Sequence, residues 1–139
     1  MFTPLEIKAR AAAETFKKFE GKSFELGKND CARMAAFHLK KCGHKLSLFN
    51  GGYYSTEVGA RLALKKLGVS SLTELMDTQF QRHEAPIMAV AGDIVALKAE
   101  GETGDAMGVV LHRGHVLAFL HGVCAELKVS EYVAAWKVL

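Results

Sequence analysis

The sequence has few of the residues that mark several common classes of protein. Its 139 residues include three cysteines, an odd number without CxxC spacing, which argues against a disulfide framework and predicts synthesis in a reducing cytoplasm. No run approaches the ~20 apolar residues of a membrane span, and residues 1–10 lack the apolar core of a signal peptide. Gly-x-Gly and Walker-type phosphate loops are also absent, so the sequence predicts no nucleotide and no other cofactor.

Neither sign of charge is in large excess, since the formal net charge is only +3. The basic pairs Lys17-Lys18, Lys40-Lys41 and Lys65-Lys66 are scattered, which is typical of a solvated surface and predicts no nucleic-acid partner. Half of the residues are hydrophobic and 24% are charged, the composition of a packed protein. The length and composition together predict a single domain over residues 1–139.

Apolar residues recur at helical spacing in four segments of the first two-thirds of the chain. The predicted helices run from Leu5 to Phe19, from Asp30 or Cys31 to the Cys42-Gly43 boundary, over Thr56–Leu67, and from Ser71 to Met76 or Phe80. Ser71 and Glu74 have the spacing of a capping box. Between the second and third helices, glycines beside aromatic residues predict a rigid corner over Leu48–Tyr54.

The residue pattern changes after Pro86, where short apolar and β-branched runs alternate with turn residues. The predicted strands are Asp93–Leu97, Met107–Leu111, His115–Leu120, Val123–Val129 and a return to the sheet within Ala134–Leu139. Turns are predicted at Arg113-Gly114 and His121-Gly122. A helical first half followed by an antiparallel sheet predicts the α+β class.

The most informative single residue is Cys31, which stands at the predicted start of the second helix. A thiol at that position lies near unpaired backbone N–H groups and the positive end of the helix dipole, which both favour the nucleophilic thiolate. Asp30 would cap the helix, but its negative charge opposes thiolate formation. The alternative is a core cysteine, because Cys31 shares a helical stripe with Met34, His38 and Cys42.

Several motifs occur in an order that is known from one superfamily. They are Phe24, Gly27, Asn29-Asp30-Cys31, Tyr53-Tyr54, Ala91-Gly92-Asp93, Met107-Gly108-Val109-Val110 and Ala135-Trp136. In this order they resemble the NlpC-type cell-wall peptidases, a papain-like group, and more narrowly a branch encoded among tail genes of bacteriophages and prophages. The resemblance covers nearly the whole chain.

This resemblance implies a papain-like fold, with the helix of Cys31 packed on an antiparallel sheet. The ancestral activity would be cleavage of peptidoglycan stem peptides, with Cys31 as the nucleophile and a strand histidine as the base. The implied partners are phage tail proteins or peptidoglycan. The implied location is the virion tail, after synthesis in the bacterial cytoplasm. Asn29 and Asp30, beside the thiol, are candidate substrate contacts. Tyr53 and Tyr54 are further candidates, although packing under their loop is an alternative for both.

The chain departs from the superfamily pattern at the two positions that should complete the catalytic site. Ala106 stands where the base is expected, and Ala118 lies near the position of the third, orienting residue. Alanine cannot accept the thiol proton or protonate a leaving amine. His112 lies ~20 Å along a regular strand from position 106, and His115 flanks a turn. His121 is therefore the candidate base if the protein is active.

Two further groups of residues have weaker claims to chemistry. Asp93 could serve as an acid or an orienting group, but Gly-Asp at the start of a strand is more typical of turn chemistry. A zinc site made of Cys31, Cys42, His44 and His38 does not fit the common ligand spacings, so no metal is predicted.

The sequence thus predicts a tail-associated protein, at the tail tip or hub, with a structural or assembly role and a degenerate catalytic site. One alternative is an active cysteine peptidase or amidase that cleaves peptidoglycan stem peptides. A second alternative is an effector or toxin of the same fold.

Overall fold

The computed structural model describes residues 1–46, 54–98 and 106–139. These residues form four α-helices, one short 3-10 turn at Pro86–Met88 and six β-strands. The helices are α1 (Pro4–Phe19), α2 (Cys31–Lys41), α3 (Glu57–Lys66) and α4 (Leu72–Gln79). The strands are β1 (Gln81–Arg82), β2 (Ile94–Leu97), β3 (Ala106–His112), β4 (His115–Leu120), β5 (Val123–Lys128) and β6 (Ala134–Lys137).

Each α-helix begins after a side chain that accepts a hydrogen bond from the first helical turn. The capping residues are Thr3, Asp30, Thr56 and Ser71. Such caps satisfy backbone N–H groups that have no partner within the helix. All four predicted helices are confirmed, with boundaries that differ from the prediction by at most a few residues.

The strands form one antiparallel sheet in the order β1-β6-β2-β3-β4-β5. The five predicted strands are present, and the predicted α+β class is confirmed. The sequence did not predict β1, which has only two residues, both exposed, and therefore shows no apolar alternation. Most of the corner predicted at Leu48–Tyr54 lies outside the described residues, and Tyr54 alone is placed.

The sheet separates two apolar environments. Its first face packs against the helices, with Ile94 and Trp136 under α3 and α4 and with Val109 and Leu117 under α1 and α2. The opposite face carries a smaller cluster, which consists of Ala89, Val95, Val110, Val116, Ala118 and Ala135. We call these the helix face and the open face of the sheet. Within the described part of the chain, no helix has the length and apolar character needed to cross a membrane.

Two glycines of the sequence motifs are required by close packing. Gly27 has φ 84°, and a Cβ atom there would lie 2.3 Å from the carbonyl oxygen of Tyr54. Gly92 has φ 89°, and a Cβ atom there would lie 2.3 Å from the Lys8 Cβ on α1. A residue with a side chain fails at both positions for steric and conformational reasons. These glycines hold the segment before α2 and the start of β2 against their neighbours.

Candidate functional site

Cys31 is the first residue of α2, immediately after the cap residue Asp30. Its sulfur faces backbone N–H groups of Cys31 and Ala32 in the first helical turn and of Met107 on β3. The pairing of β3 with β4 includes Val109 and Leu117 but does not extend to Met107. The Met107 N–H is therefore not used in the pairing with β4. The structure therefore brings the head of α2 to the start of β3, the strand on which the resemblance places the catalytic base.

These N–H groups do not make Cys31 a reactive thiol. Burial of the sulfur is the dominant influence and raises the thiol pKa to about 11, with a further increase from the negative charge of Asp30. The three N–H groups act in the opposite direction but are weaker. At neutral pH the thiolate fraction is then on the order of one in ten thousand. The sequence predicted the helix-head position correctly, but the effect of that position on the thiol is outweighed by burial.

Asp30 is buried, and its carboxylate accepts hydrogen bonds from three donors among the described residues. Oδ1 accepts from the Arg33 N–H at 2.8 Å, and Oδ2 accepts from the Gly27 N–H at 2.7 Å and from the Tyr54 hydroxyl at 3.0 Å. Tyr54 is itself buried, with 4% of its surface exposed. These contacts tie α2 to the segment before α3, so both side chains have a structural function.

The other two candidate substrate contacts have different outcomes. Asn29 pairs with Glu25 through backbone hydrogen bonds of 2.7 and 2.9 Å, and it is partly exposed two residues before Cys31 in the chain. Tyr53 lies outside the described residues. The substrate-binding function of these residues stays a prediction.

None of the six histidines, all of which are among the described residues, is a hydrogen-bond partner of Cys31. His38 lies seven residues further along α2, ~10 Å away along the helix axis, where it contacts Gly92. His44 packs against the Phe80 ring, and His83 bonds to Asp93. His112 and His115 share the carboxylate of Glu126 at the far end of β3. The structure thus places a thiol at the head of α2 without a hydrogen-bonded histidine.

His121, the predicted base, lies in the turn between β4 and β5. Its φ of 53° is the one positive value of a non-glycine residue within the described chain, and its side chain is exposed. The register of β3 and β4 places this turn at the Ala106 end of the sheet. His121 is therefore at the correct end of the sheet, one strand away from β3, but it makes no hydrogen bond with the thiol.

Ala106 and Ala118 both lie on the open face of the sheet. Ala106 pairs with Leu97, and both Leu97 and Ala118 pack in the open-face cluster. The register places positions 106 and 118 diagonally across neighbouring strands. The two positions are thus diagonal neighbours, but they are filled by methyl groups. They also lie on the face of the sheet opposite to the one on which α2 packs, so they take no part in proton transfer at Cys31.

The structure contains a buried polar network that the sequence did not predict. Asp93 is fully buried at the start of β2, and its carboxylate accepts hydrogen bonds from Lys8 Nζ at 2.7 Å, His83 Nε2 at 2.7 Å and the Val90 N–H at 3.0 Å. Asp93 is therefore neither an exposed acid nor a simple turn residue, because it joins α1 to the sheet. A signal was available, since Lys8 shares the helical spacing of Ala11, Ala12 and Phe19 on the buried face of α1.

A second buried pair, His38 and Cys42, also lacks the features of an activated thiol. His38 Nε2 lies 2.6 Å from the Gly92 carbonyl oxygen, to which it donates its proton, and 3.7 Å from Cys42 Sγ. A nitrogen that donates to a carbonyl cannot accept the thiol proton. Burial lowers the pKa of His38 and raises that of Cys42 to about 11. Cys31 lies about two helical turns from His38 and about three from Cys42, so the four residues considered for zinc are not brought together.

The fold and the site together define a class of protein: a small α+β domain in which a partly buried cysteine heads a helix packed on an antiparallel sheet. The chain belongs to a family described as "Domain of unknown function (DUF6950)", whose profile matches residues 5–138. No curated protein matches the chain.

Proposed function

We propose that this protein has a papain-like, NlpC-type fold without catalytic activity and acts as a structural or assembly component of a bacteriophage or prophage tail. The fold assignment is supported by the order of the motifs and by the contact between the head of α2 and Met107 on β3. The tail assignment is supported by the resemblance of those motifs to proteins encoded among tail genes.

One observation is the main support for the proposed loss of catalytic activity. Cys31 has a thiol whose pKa burial raises to about 11, and none of the six histidines is hydrogen-bonded to it. A cysteine peptidase needs an imidazole that accepts the thiol proton and later protonates the leaving amine. With Ala106 at the implied base position, neither proton transfer has an imidazole hydrogen-bonded to the thiol.

A structural component needs a surface for its partners, and the segment around the 3-10 turn offers one. Ile87, Met88 and Val90 are 67%, 52% and 40% exposed, and they follow one another closely in the chain. Exposed apolar side chains that are grouped in this way are typical of contact surfaces between proteins. In the proposed assembly this surface contacts another tail protein.

The proposal is tested by introducing variants into the phage or prophage that encodes the chain. Mass spectrometry of purified virions should detect the protein, and Cys31→Ala should leave its incorporation and the infectivity unchanged. Ile87→Glu should reduce incorporation, whereas Leu62→Glu should not. Leu62 is a matched control because it is also exposed, at 52%, but lies on α3. Absence from virions, or equal incorporation of all variants, would contradict the proposed role.

The alternative function is an active cysteine peptidase or amidase that cleaves peptidoglycan stem peptides. The observation in its favour is the register of β3 and β4, which places His121 at the same end of the sheet as Ala106. This alternative predicts release of stem-peptide fragments from purified peptidoglycan, with loss of release in both Cys31→Ala and His121→Ala. Virions that carry Cys31→Ala and assemble normally but fail to infect would favour it over the structural role.

A further inference from the structure

Two histidines and a glutamate meet at the end of the sheet far from Cys31. His112 ends β3 and His115 begins β4, and the two are cross-strand partners around the tight turn Arg113-Gly114. Their rings stack with centroids 4.1 Å apart. Glu126 on β5 lies opposite Leu117, so its side chain shares the helix face with that of His115.

Two of the three separations between the ligand atoms match those around a zinc ion. Glu126 Oε2 lies 3.3 Å from His112 Nε2 and 3.0 Å from His115 Nδ1, and the three ligand atoms lie within 4.8 Å of one another. Bonds of about 2.0–2.1 Å to zinc imply that neighbouring ligand atoms are about 3.0–3.4 Å apart. Both oxygen–nitrogen separations therefore suit one ion, and the two nitrogens are close enough to reach it with side-chain rotations.

The chemistry of the three donors favours a transition metal over calcium or magnesium. Imidazole nitrogen is a preferred ligand of zinc, nickel and cobalt, whereas calcium and magnesium prefer oxygen. Two imidazoles and one carboxylate also leave a coordination position open for water or for a group of a partner protein. The side chains are accessible, with His112 at 61%, His115 at 33% and Glu126 at 39% exposure.

Without a metal, both imidazoles contact the same oxygen of one carboxylate, and their rings are stacked. The three side chains therefore already converge on one point. The nearby cations are Arg113 in the turn and Lys128, the cross-strand partner of His115, and both are exposed. They weaken attraction for a cation, but long solvated side chains can move away from an ion.

From this geometry we propose that His112, His115 and Glu126 form a binding site for a divalent transition-metal ion of the zinc class. The proposal does not rest on the proposed function, because the cluster and Cys31 lie at opposite ends of β3. The ends of this strand are ~20 Å apart. A metal ion bound here would link β3, β4 and β5 at the end of the sheet that is far from Cys31.

The test is a calorimetric titration of the metal-free full chain with zinc chloride near neutral pH. One zinc ion should bind per chain, and His112→Ala and His115→Ala should each weaken binding by about tenfold or more. His121→Ala is the matched control, since His121 is also exposed at a hairpin turn but lies at the other end of the sheet, and it should bind zinc as the parent does. Binding should weaken as the pH is lowered, because protons compete for the imidazoles.

Two further measurements separate this site from binding at the cysteines. Histidine ring signals of His112 and His115 should shift on zinc addition in NMR spectra, while those of His121 should not. The cobalt complex should lack a thiolate-to-cobalt charge-transfer band. The absence of saturable binding, unchanged affinity in both His→Ala variants, or a thiolate band would each overturn the proposal.

Discussion

The carboxylates of Asp30 and Asp93 differ from that of Glu126 in what surrounds them. Each of the first two is at least 98% buried, at 2% and 0% exposure, and each accepts three hydrogen bonds. Glu126 is partly exposed and contacts only two imidazoles among the described residues. The two carboxylates that belong to sequence motifs thus stabilise the fold, whereas the carboxylate of Glu126, which belongs to no motif, is accessible to a ligand. Cys31 follows Asp30 directly in the chain but is itself only partly buried.

The largest effect should follow from Asp93→Ala. This change leaves the buried ammonium of Lys8 and the imidazole of His83 without their shared acceptor. Removing one partner of a buried ion pair typically costs about 3–5 kcal/mol in the free energy of unfolding. Urea denaturation measures this loss, with Glu126→Ala as the control. Equal losses in the two variants would remove the distinction between buried and exposed carboxylates.

Asp30→Ala should be the next most damaging change, with a loss of about 2–4 kcal/mol. The variant removes a helix cap and also removes the Asp30 carboxylate that accepts hydrogen bonds from the buried Tyr54 hydroxyl and from the Gly27 N–H. Thr56→Ala is the matched control, because Thr56 caps α3 through one exposed hydrogen bond and should cost only about 1 kcal/mol. A loss at Asp30 no larger than that at Thr56 would contradict the structural role of the Asp30 network.

A smaller, pH-dependent effect is expected from His38. Burial lowers its pKa in the folded protein, although the Gly92 and Ala11 carbonyls and Asp93 oppose this shift and Lys8 reinforces it. Below about pH 6.5 the unfolded chain therefore binds a proton that the folded chain does not. The contribution of His38 to the free energy of unfolding should be complete above that pH. It should fall by up to about 1.4 kcal/mol per pH unit as the pH decreases toward the folded-state pKa.

Urea denaturation between about pH 7.5 and pH 5 measures this dependence. His38→Gln should be less stable at neutral pH but should lack this part of the pH dependence. His121→Gln, which changes an exposed histidine, should retain the pH dependence of the parent. An identical pH profile in His38→Gln and the parent would show that another group is responsible.

The smallest effect is expected at the exposed cluster. In metal-free protein, Glu126→Ala should change the free energy of unfolding by less than about 1 kcal/mol, because partly exposed ion pairs contribute little. Added zinc should stabilise the parent against urea but not this variant, if Glu126 is a ligand. A metal-free loss comparable to that of Asp93→Ala would mean that the cluster is a structural element of the sheet.

Much of the fold could be predicted because local patterns and caps agree with tertiary packing. The helix starts at Asp30, Thr56 and Ser71 could be predicted because each capping side chain accepts a hydrogen bond from an N–H that is close to it in sequence. The hairpin between β4 and β5 was readable from His121-Gly122 for the same reason. The pairing of β6 between β1 and β2 depends on contacts distant in sequence, and no local signal specifies it.

The chemistry of the site was less predictable, because it depends on neighbours far apart in the chain. Position at a helix head suggested an activated thiol, while burial around Cys31 produces the opposite effect. Trp136 was recognised as part of a motif, but its partner is Asp77, whose pKa the hydrogen bond from Arg82 lowers. His112 and His115 were considered only as replacement bases, and the glutamate that joins them is on another strand.

The pH dependence of Cys31 alkylation is the most direct test of the central claim that this thiol is not activated. Iodoacetamide labelling of the full chain, resolved by peptide mass spectrometry, would report the rate at Cys31 separately from those at Cys42 and Cys124. The thiol pKa of about 11 predicts slow labelling at neutral pH. The rate should then rise about tenfold per pH unit up to about pH 9.5 without a plateau. A plateau reached below about pH 7, abolished by His121→Ala, would contradict the account and establish a catalytic thiol.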